Sequence, residues 1–457
     1  MTVTEETSRG RTAREAGART YAHALPIVPV RARGLTIEGA DGRRYLDCLS
    51  GAGTLALGHN HPVVLAAIRR VLDSGAPLHV PDLSTPVEDD FVAELLRTLP
   101  PGLAEHARVR FCGPSPASAM EEARRLVRAV TGETEVLHLS PPAAPLVPPA
   151  TSHGPRSIAE PAADAPRPAG EPGSGRAAGA GIGAQRSPGA APGPQTETDL
   201  QLASLWPESA RPAGVIVEAV RGDDRISPVP DSWTRQVRRL AATRSVPLIA
   251  DETETGVGRT GAFWAVEHSG VTPDLMVLSK AIGGSLPLSL VVHHTDFEAD
   301  TPARTLRGNQ LAMAAGAATL AHVRENRLAE RADTLGRRIL GQLAEIAAKF
   351  PCVGEIRGRG LMIGITFLPP EQDVLPGGEP ARPAAAELAA AVQRACLRRG
   401  LIVGLGGHDS PVVRLLPPLT VSDEQAAAVV DRLSDAMEEA TYGRTTASAP
   451  FPAREQL

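Results

Sequence analysis

The stretch SVPLIADETETGVGRTGAFWAVEHSGVTPDLMVLSKAIGGSLPLS, residues 245–289, contains two short apolar runs that each end in a charged residue. VPLIAD ends at Asp251, and DLMVLSK ends at Lys280. Such runs are typical of strands that are buried on both faces of a parallel sheet. Because parallel strands end at one edge of a sheet, Asp251 and Lys280 are expected to face one crevice.

Further predicted strands and helices surround this stretch. AGVIVEA at 213–219 and PLSLVVHH at 287–294 are also apolar runs, and a helix is predicted at 231–244 between the first two strands. This alternation indicates an α/β fold with a parallel sheet. Long helices are predicted to follow at 309–325 and 326–349.

The outer parts of the chain carry the remaining patterns. LTIEGADGRRYLDCLS, from Leu35 onward, predicts a hairpin with its turn at Asp41-Gly42. GHNHP at 58–62 opens a predicted helix. Other helices are predicted at 87–98, 118–131, 383–399 and 422–440, and strands at 353–367, near 401–404 and at 412–416.

Length and composition restrict the class of protein. The chain has 457 residues, a length that predicts two domains. The net charge of −5 gives no basic surface for nucleic acid, and no run approaches the roughly 20 apolar residues of a membrane span. The polar N-terminus lacks the apolar run of a signal peptide. The four cysteines lack C-x-x-C spacing, which argues against a zinc site and favours reduced thiols in the cytoplasm.

Residues 140–199 differ in composition from the rest of the chain. Pro, Gly and Ala make up more than half of this stretch, so it is predicted to be a long flexible segment. The predicted organisation is a flexible arm at 1–20, an N-terminal part of the small domain at 21–60, a large cofactor-binding domain at 61–320, a small C-terminal domain at 321–440 and a flexible tail at 441–457.

Lys280 and Asp251 each allow a structural and a functional interpretation. Lys280 is either a side chain that reaches the surface or a Schiff-base lysine activated by its surroundings. Asp251 is either a helix cap or loop carboxylate, or the partner of a cofactor's pyridinium nitrogen, which it would keep protonated. Two such residues at the ends of successive strands favour the functional interpretation of both.

The motif at 251–289 resembles the central signature of the class III aminotransferases, and the resemblance extends over 35–139, 212–325 and 352–440. GAGTLALGHNHP, FCGP and VIVEAV look most like the diaminobutyrate–2-oxoglutarate aminotransferases. The resemblance implies a pyridoxal-phosphate-dependent transferase of fold type I, an α/β protein with a mainly parallel sheet in its large domain and a smaller C-terminal α/β domain. It also implies a homodimer without a metal. Such an enzyme moves an amino group from an amine or omega-amino acid donor to a keto acid such as 2-oxoglutarate.

The resemblance implies roles for particular residues. Lys280 would carry the cofactor and shuttle a proton at the substrate carbon, and Asp251 would pair with the pyridine nitrogen. Thr305 would reach across the dimer interface to the partner's cofactor phosphate, and Arg414 would grip the substrate carboxylate. Without the resemblance, Thr305 is equally a polar loop residue, and Arg414 a residue in a surface ion pair.

Two more acidic residues receive roles in the same way. Glu218 ends the VIVE strand and would lie near the cofactor. Asp223 stands where relatives carry a glutamate that screens the substrate arginine, and without the resemblance it is equally a polar loop residue. Arg221 replaces a family glutamine in the same run.

Other positions depart from the family pattern. The phosphate-binding turn, Ser-Gly-Thr-like in the family, reads Ser115-Pro116-Ala117. Pro116 has no N–H and Ala117 has no hydroxyl, so phosphate binding is expected to be weakened. The family glutamine that bonds the cofactor phenolate appears as Glu254, whose carboxylate would repel that oxygen unless protonated. No aromatic residue precedes His153-Gly154, where the family has the ring that stacks on the cofactor.

The sequence leaves three functions open. The first is a working aminotransferase, and the second is a degenerate accessory subunit that dimerises with or regulates an active partner. The third is another pyridoxal-phosphate reaction on the same fold, such as racemisation or decarboxylation. The retained lysine, aspartate, threonine and arginine favour the first function, whereas the altered phosphate turn favours the second.

Overall fold

The computed structural model describes residues 25–80, 83–141, 197–222, 225–298, 309–369, 382–407 and 410–443. Several predicted features lie wholly or mostly outside these residues: the arm at 1–20, the segment at 140–199, the tail at 441–457, Thr305, Asp223 and the His153-Gly154 pair.

Strands and helices alternate through the described chain. In chain order the strands are β1 (Pro29–Arg33), β2 (Thr36–Gly39), β3 (Arg44–Asp47), β4 (Ala107–Phe111), β5 (Val136–His138), β6 (Gly214–Val217), β7 (Val220–Arg221), β8 (Ser227–Pro228), β9 (Leu248–Asp251), β10 (Leu275–Leu278), β11 (Leu290–His294), β12 (Val353–Arg359), β13 (Met362–Phe367), β14 (Leu401–Ile402), β15 (Gly404–Leu405) and β16 (Val412–Leu415). The α-helices are α1 (Pro62–Asp73), α2 (Pro86–Leu96), α3 (Pro116–Thr131), α4 (Glu197–Leu205), α5 (Asp231–Thr243), α6 (Gln310–Glu325), α7 (Leu328–Ala347), α8 (Arg382–Arg398) and α9 (Asp423–Tyr442).

A six-stranded sheet in the order β4-β11-β10-β9-β6-β5 forms the centre of the fold. Its neighbours β5, β6, β9 and β10 are parallel, and β11 runs antiparallel to both β10 and β4. Alternate residues of these strands enter two different apolar clusters, one of which contains residues of α3. The sheet is therefore covered on both faces, which is why its strands are apolar at nearly every position. The prediction of a mainly parallel sheet is confirmed.

Two smaller four-stranded sheets, β1-β2-β3-β14 and β12-β13-β16-β15, and the two-stranded sheet β7-β8 complete the described architecture. The first combines distant parts of the chain, because β14 pairs with β3 in parallel. The predicted hairpin from Leu35 is confirmed as β2 and β3. Its turn contains Gly42 at φ 78°, a left-handed conformation that glycine adopts without strain. The boundaries of the two predicted domains stay predictions.

The prediction of one strand at 353–367 is wrong, because the structure has a hairpin there. Arg359 of β12 pairs with Met362 of β13 across a two-residue turn. Gly360 in this turn has φ 56°, and a Cβ at this position would lie 2.5 Å from the carbonyl carbon of Thr260. Only glycine fits so close an approach, and the stretch RGRGLMIG at 357–364 contains no Asn-Gly or Asp-Gly pair that would mark a hairpin.

Candidate active site

Four neighbouring parallel strands end at one edge of the central sheet, and each brings an ionisable side chain to that edge. These side chains are His138 in β5, Glu218 just after β6, Asp251 in β9 and Lys280 just after β10. The structure thus places Asp251 and Lys280 at the same sheet edge, where ligands of open α/β sheets bind.

Side-chain alternation puts three of these residues on the face that α3 covers. Ile216 and Ile249 belong to the apolar cluster that α3 forms on this face. Glu218 and Asp251 each follow two positions later in the chain and therefore point the same way. His138 lies opposite Ile216 in the ladder between β5 and β6.

The N-terminus of α3 lies at the same edge, because β4 runs parallel to β10 and α3 begins just after β4. Ser115 is the N-cap residue, and its Oγ accepts a hydrogen bond from the backbone N–H of Ser118 at 3.3 Å. The hydroxyl of Ser118 lies 2.9 Å from that of Ser115. Pro116 is the first helical residue and donates no hydrogen bond. Sequence analysis missed Ser118, because Ser115-Pro116-Ala117-Ser118 lacks the Glu or Gln that completes a capping box.

Lys280 begins a short 3₁₀ turn immediately after β10 and Ser279. It adopts φ 54°, a left-handed conformation that costs a non-glycine residue roughly 1–2 kcal/mol. Its Nζ forms a short contact with Glu254 Oε1 and donates to the carbonyl oxygen of Ala52 at 3.2 Å. Strain of this kind is concentrated at functional sites, where the surrounding structure fixes it.

Glu254 joins Lys280 to Arg414. The second carboxylate oxygen of Glu254 accepts a hydrogen bond from an Arg414 guanidinium nitrogen at 2.9 Å. Arg414 lies in β16 with only 12% of its side chain exposed, and its buried Nε has no hydrogen-bond partner. A buried guanidinium N–H without an acceptor is a ready donor for an anionic ligand.

A turn at residues 50–53 holds the carbonyl of Ala52 against Lys280. All four residues of this turn have φ between 48° and 88°. The carboxylate of Asp47 fixes the start of the turn by accepting from the backbone N–H groups of Leu49 at 2.9 Å and Ser50 at 3.0 Å. Sequence analysis did not connect this turn with the site.

Asp251 is a largely buried carboxylate without a strong cationic partner. Its Oδ1 accepts from the backbone N–H of Thr253 at 3.0 Å, and no lysine or arginine among the described residues forms an ion pair with it. Burial raises the pKa of Asp251, and the charge of Glu218 raises it further. Hydrogen bonds from Thr253 and the charge of His138 oppose this rise in pKa.

Glu218 is held from two sides. His138 Nε2 lies 3.1 Å from Glu218 Oε1, and the backbone N–H of Gly222 donates to Oε2 at 3.4 Å. The hydrogen bond to Glu218 is the main cause that raises the pKa of His138, against the effect of burial. Sequence analysis missed His138, whose only signal is its position as the last residue of a strand beside Glu218.

These groups fit pyridoxal phosphate at its ring. Asp251 offers a buried carboxylate to a protonated ring nitrogen, and Lys280 offers a primary amine at the neighbouring strand end. The phosphate end is less complete, because the N-terminus of α3 offers serine hydroxyls but has lost one amide donor at Pro116. The residues present fit the cofactor at its ring nitrogen and at its attachment point.

The roles of Thr305 and Asp223 stay predictions, because both residues lie outside the described parts of the chain. Within those parts, no group of three or more His, Cys, Asp or Glu side chains could hold a metal ion. No helix of the described residues is long and apolar enough to cross a membrane. All four cysteines are free thiols.

Comparison with known proteins supplies the family. The chain matches the family described as Aminotransferase class-III over residues 16–140 and 201–437. It is 42% identical to the diaminobutyrate–2-oxoglutarate aminotransferase of Rhizobium meliloti (strain 1021), over 93% of this chain and 91% of the relative. It is 36% identical to the protein of the same name from Haemophilus influenzae, over 93% of each chain.

A solved structure shows the same fold. The acetylornithine aminotransferase of Elizabethkingia anophelis superimposes with a TM-score of 0.72 at 22% identity, over 96% of this chain and 100% of that chain. At this identity the likeness shows the fold alone, and it confirms the predicted fold type I. The chain therefore belongs to the class III aminotransferases, a family of enzymes that use pyridoxal phosphate.

Proposed function

We propose that the chain transfers an amino group from diaminobutyrate to 2-oxoglutarate. The two curated relatives described above are named for these substrates. The observation that carries the proposal is the series of contacts from Lys280 through Glu254 to Arg414. It places a lysine that can hold the cofactor close to an arginine that can hold a carboxylate, and both proposed substrates carry carboxylates.

Lys280 is the proposed attachment point of the cofactor. The sequence contains only one other lysine, the exposed Lys349 after α7. When bound, the cofactor supplies an electron sink for the carbon that carries the amino group. Lys280 Nζ would act as the base that takes the proton from this carbon and returns it to the cofactor. Asp251 keeps the ring nitrogen protonated by presenting a carboxylate to it.

Glu254 occupies the anion position between the two cations when substrate is absent. A substrate carboxylate that reaches Arg414 replaces Glu254 as the hydrogen-bond acceptor and also finds the free Nε–H of Arg414. An arginine holds a carboxylate best through two parallel hydrogen bonds, which a single Glu254 oxygen does not supply here. Carboxylate binding is thus an exchange of anions at Arg414.

Ser115 is the proposed phosphate ligand at the start of α3, and the adjacent hydroxyl of Ser118 adds a donor that partly replaces the missing amide of Pro116. Glu218 completes the polar wall beside Asp251 on the face of the sheet that α3 covers. Asp223 is proposed to screen Arg414 together with Glu254 while a donor with an amine tail is bound.

We further propose a cytoplasmic homodimer. The proposed role of Thr305, contact with a cofactor phosphate in a second copy of the chain, requires a dimer. The four free thiols fit a reducing compartment. Light scattering of the cofactor-loaded protein tests the dimer, and a monomer at the concentrations used for assay would overturn it.

The function is tested with purified protein, pyridoxal phosphate, diaminobutyrate and 2-oxoglutarate, by following glutamate formation. Reduction of the loaded protein with borohydride, followed by peptide mapping, identifies the lysine that carries the cofactor. We expect glutamate from the parent and none from Lys280→Ala. Peptide mapping should find the reduced cofactor on Lys280 and none on Lys349. Stable cofactor binding at Lys280 without amino transfer from diaminobutyrate or other amines would reject the proposed reaction.

A further inference from the structure

His138 has no role in the function proposed so far, yet it lies among the residues of the ring end. It ends β5, and half of its side chain remains exposed. Its ladder partner Ile216 lies two residues before Glu218, so His138 and Glu218 share one face of the sheet. The 3.1 Å contact between His138 Nε2 and Glu218 Oε1 follows from this register.

Two carboxylates, Glu218 and Asp251, end adjacent strands on this face of the sheet. Like charges at such a spacing disfavour each other's ionised form. Asp251 forms no ion pair with a lysine or arginine of the described residues, and its proposed partner, the ring nitrogen, is supplied only when the cofactor binds. His138 lies on the strand beside Glu218, and Asp251 lies one strand further along the same face, so protonated His138 is a cation on the face that both carboxylates share. Both carboxylates raise the pKa of its imidazole, Glu218 more than Asp251.

We propose that His138 is a positioning residue that holds Glu218 by a hydrogen bond and supplies the positive charge that keeps Asp251 ionised. This inference rests on the proposed function, because an ionised Asp251 matters for a protonated ring nitrogen. The charge of Arg221 opposes protonation of His138, and burial opposes it as well, so the hydrogen bond to Glu218 is what sustains the imidazolium.

The effect has a definite direction with pH. His138 is charged below its raised pKa and becomes neutral as the pH rises through that value. Removing the charge raises the pKa of Asp251 beyond the rise that burial already causes. Loss of the His138 charge therefore weakens cofactor binding at mildly acidic pH, where the imidazolium would be present, and has little effect at alkaline pH.

The test compares His138→Gln, which keeps a hydrogen-bond donor but loses the charge, with the parent protein and with His138→Lys, which keeps a positive charge. His106→Gln, at an exposed histidine outside the site, is the matched control. The dissociation constant of pyridoxal phosphate is measured for each apo-protein at about pH 6 and about pH 8.5. We compare the dissociation constant of His138→Gln with that of the parent. The ratio of the two constants should be about three- to tenfold higher at about pH 6 than at about pH 8.5, which corresponds to a shift of up to about one pKa unit in Asp251. For His138→Lys and for His106→Gln, the dissociation constant divided by that of the parent should stay near one at both pH values.

A second readout needs neither cofactor nor activity. NMR titration of the imidazole in the apo-protein should place the pKa of His138 above the ordinary histidine value, and Glu218→Gln should lower it. An ordinary pKa that Glu218→Gln leaves unchanged would overturn the pairing. Tight cofactor binding with the same pH dependence in parent and His138→Gln would overturn the charge role while leaving the proposed function intact. A raised imidazole pKa in a protein that binds no cofactor would overturn the proposed function, and with it the link from His138 to the cofactor.

Discussion

The ring end and the phosphate end of the cofactor site are built in different ways. At the ring end, Asp251, Glu218 and Lys280 are placed by the ends of parallel strands, so sheet register fixes them. At the phosphate end, binding depends on backbone N–H groups and hydroxyls in the first turn of α3, where Pro116 removes one donor. The comparison teaches that the groups for chemistry and the groups for cofactor affinity can change independently within one site.

Replacement of Lys280 is the most severe test of the ring end. Lys280→Ala removes the proposed attachment point and the proposed proton-transferring amine, so we expect activity to fall about a thousandfold or more. The visible absorbance of the bound cofactor should disappear as well. Lys349→Ala, at the only other lysine of the sequence, is the matched control and should keep full activity. Activity that survives in Lys280→Ala would show that Lys280 does not have the proposed role in the reaction.

Replacement of Asp251 tests the same end without touching the attachment point. Asp251→Asn keeps the shape of the side chain but loses the charge that holds the ring nitrogen protonated, so we expect kcat to fall about 10²- to 10³-fold. Lys280 should still bind the cofactor covalently, which borohydride reduction and peptide mapping can show. Wild-type kcat in this variant would mean that another group protonates the ring.

Glu254→Gln tests the anion exchange at Arg414. The variant removes the internal competitor for Arg414 while keeping the side-chain length. Because a partly exposed ion pair contributes about 1 kcal/mol, we expect KM for 2-oxoglutarate to fall about three- to tenfold. Glu254→Asp keeps the charge and serves as the control. A raised KM in Glu254→Gln would show that Glu254 assists the substrate carboxylate instead of competing with it.

Changes at the phosphate end should appear in cofactor affinity and leave the reaction rate unchanged. Pro116→Gly with Ala117→Thr restores an amide donor and a hydroxyl, which at roughly 1–3 kcal/mol corresponds to about 5- to 150-fold tighter cofactor binding. A gain at the low end is expected, because glycine adds freedom to the unfolded chain. The rate of the chemical step should not change, since the phosphate is held alike throughout the reaction.

Replacement of Ser118 is a complementary test of the phosphate end. Ser118→Ala removes the hydroxyl that lies beside Ser115 Oγ and should loosen cofactor binding by a few-fold. Titration of the apo-proteins by cofactor absorbance measures both variants. Unchanged affinity in the double variant and in Ser118→Ala together would show that other groups hold the phosphate.

The sequence predicted the ring end better than the contacts around it. Asp251 and Lys280 follow apolar runs, and strand ends are visible in a sequence because hydrophobic periodicity stops there. Arg414 required the resemblance, since a basic residue in a strand has no local signal for its ligand. The contact of Glu254 with both cations could not be predicted, because it joins residues that are 26 and 160 positions apart in the sequence.

Other features were missed for physical reasons of the same kind. His138 acts through register with β6, which is a long-range property of the sheet. The hairpin turn at Gly360 lacks the Asn-Gly or Asp-Gly pair that marks such turns, so no signal in the sequence divides the one predicted strand into two. Helix α4 begins at Glu197, inside the end of the predicted low-complexity segment, where Pro and Gly have already given way to TETDLQLASL.

The turn at 50–53 has a consequence for the contacts that hold the Lys280 side chain. Two of its four left-handed residues, Ser50 and Ala52, are not glycine, so the turn stores roughly 1–2 kcal/mol for each of them. Asp47, itself paired with His59 at 2.7 Å, balances this strain through its hydrogen bonds to the turn. The turn is therefore a local unit that opens at less cost than the central sheet, and its opening withdraws the Ala52 carbonyl from Lys280. Faster amide hydrogen exchange at 49–53 than in β10 would record that opening, which would leave the Lys280 amine in contact with Glu254 alone.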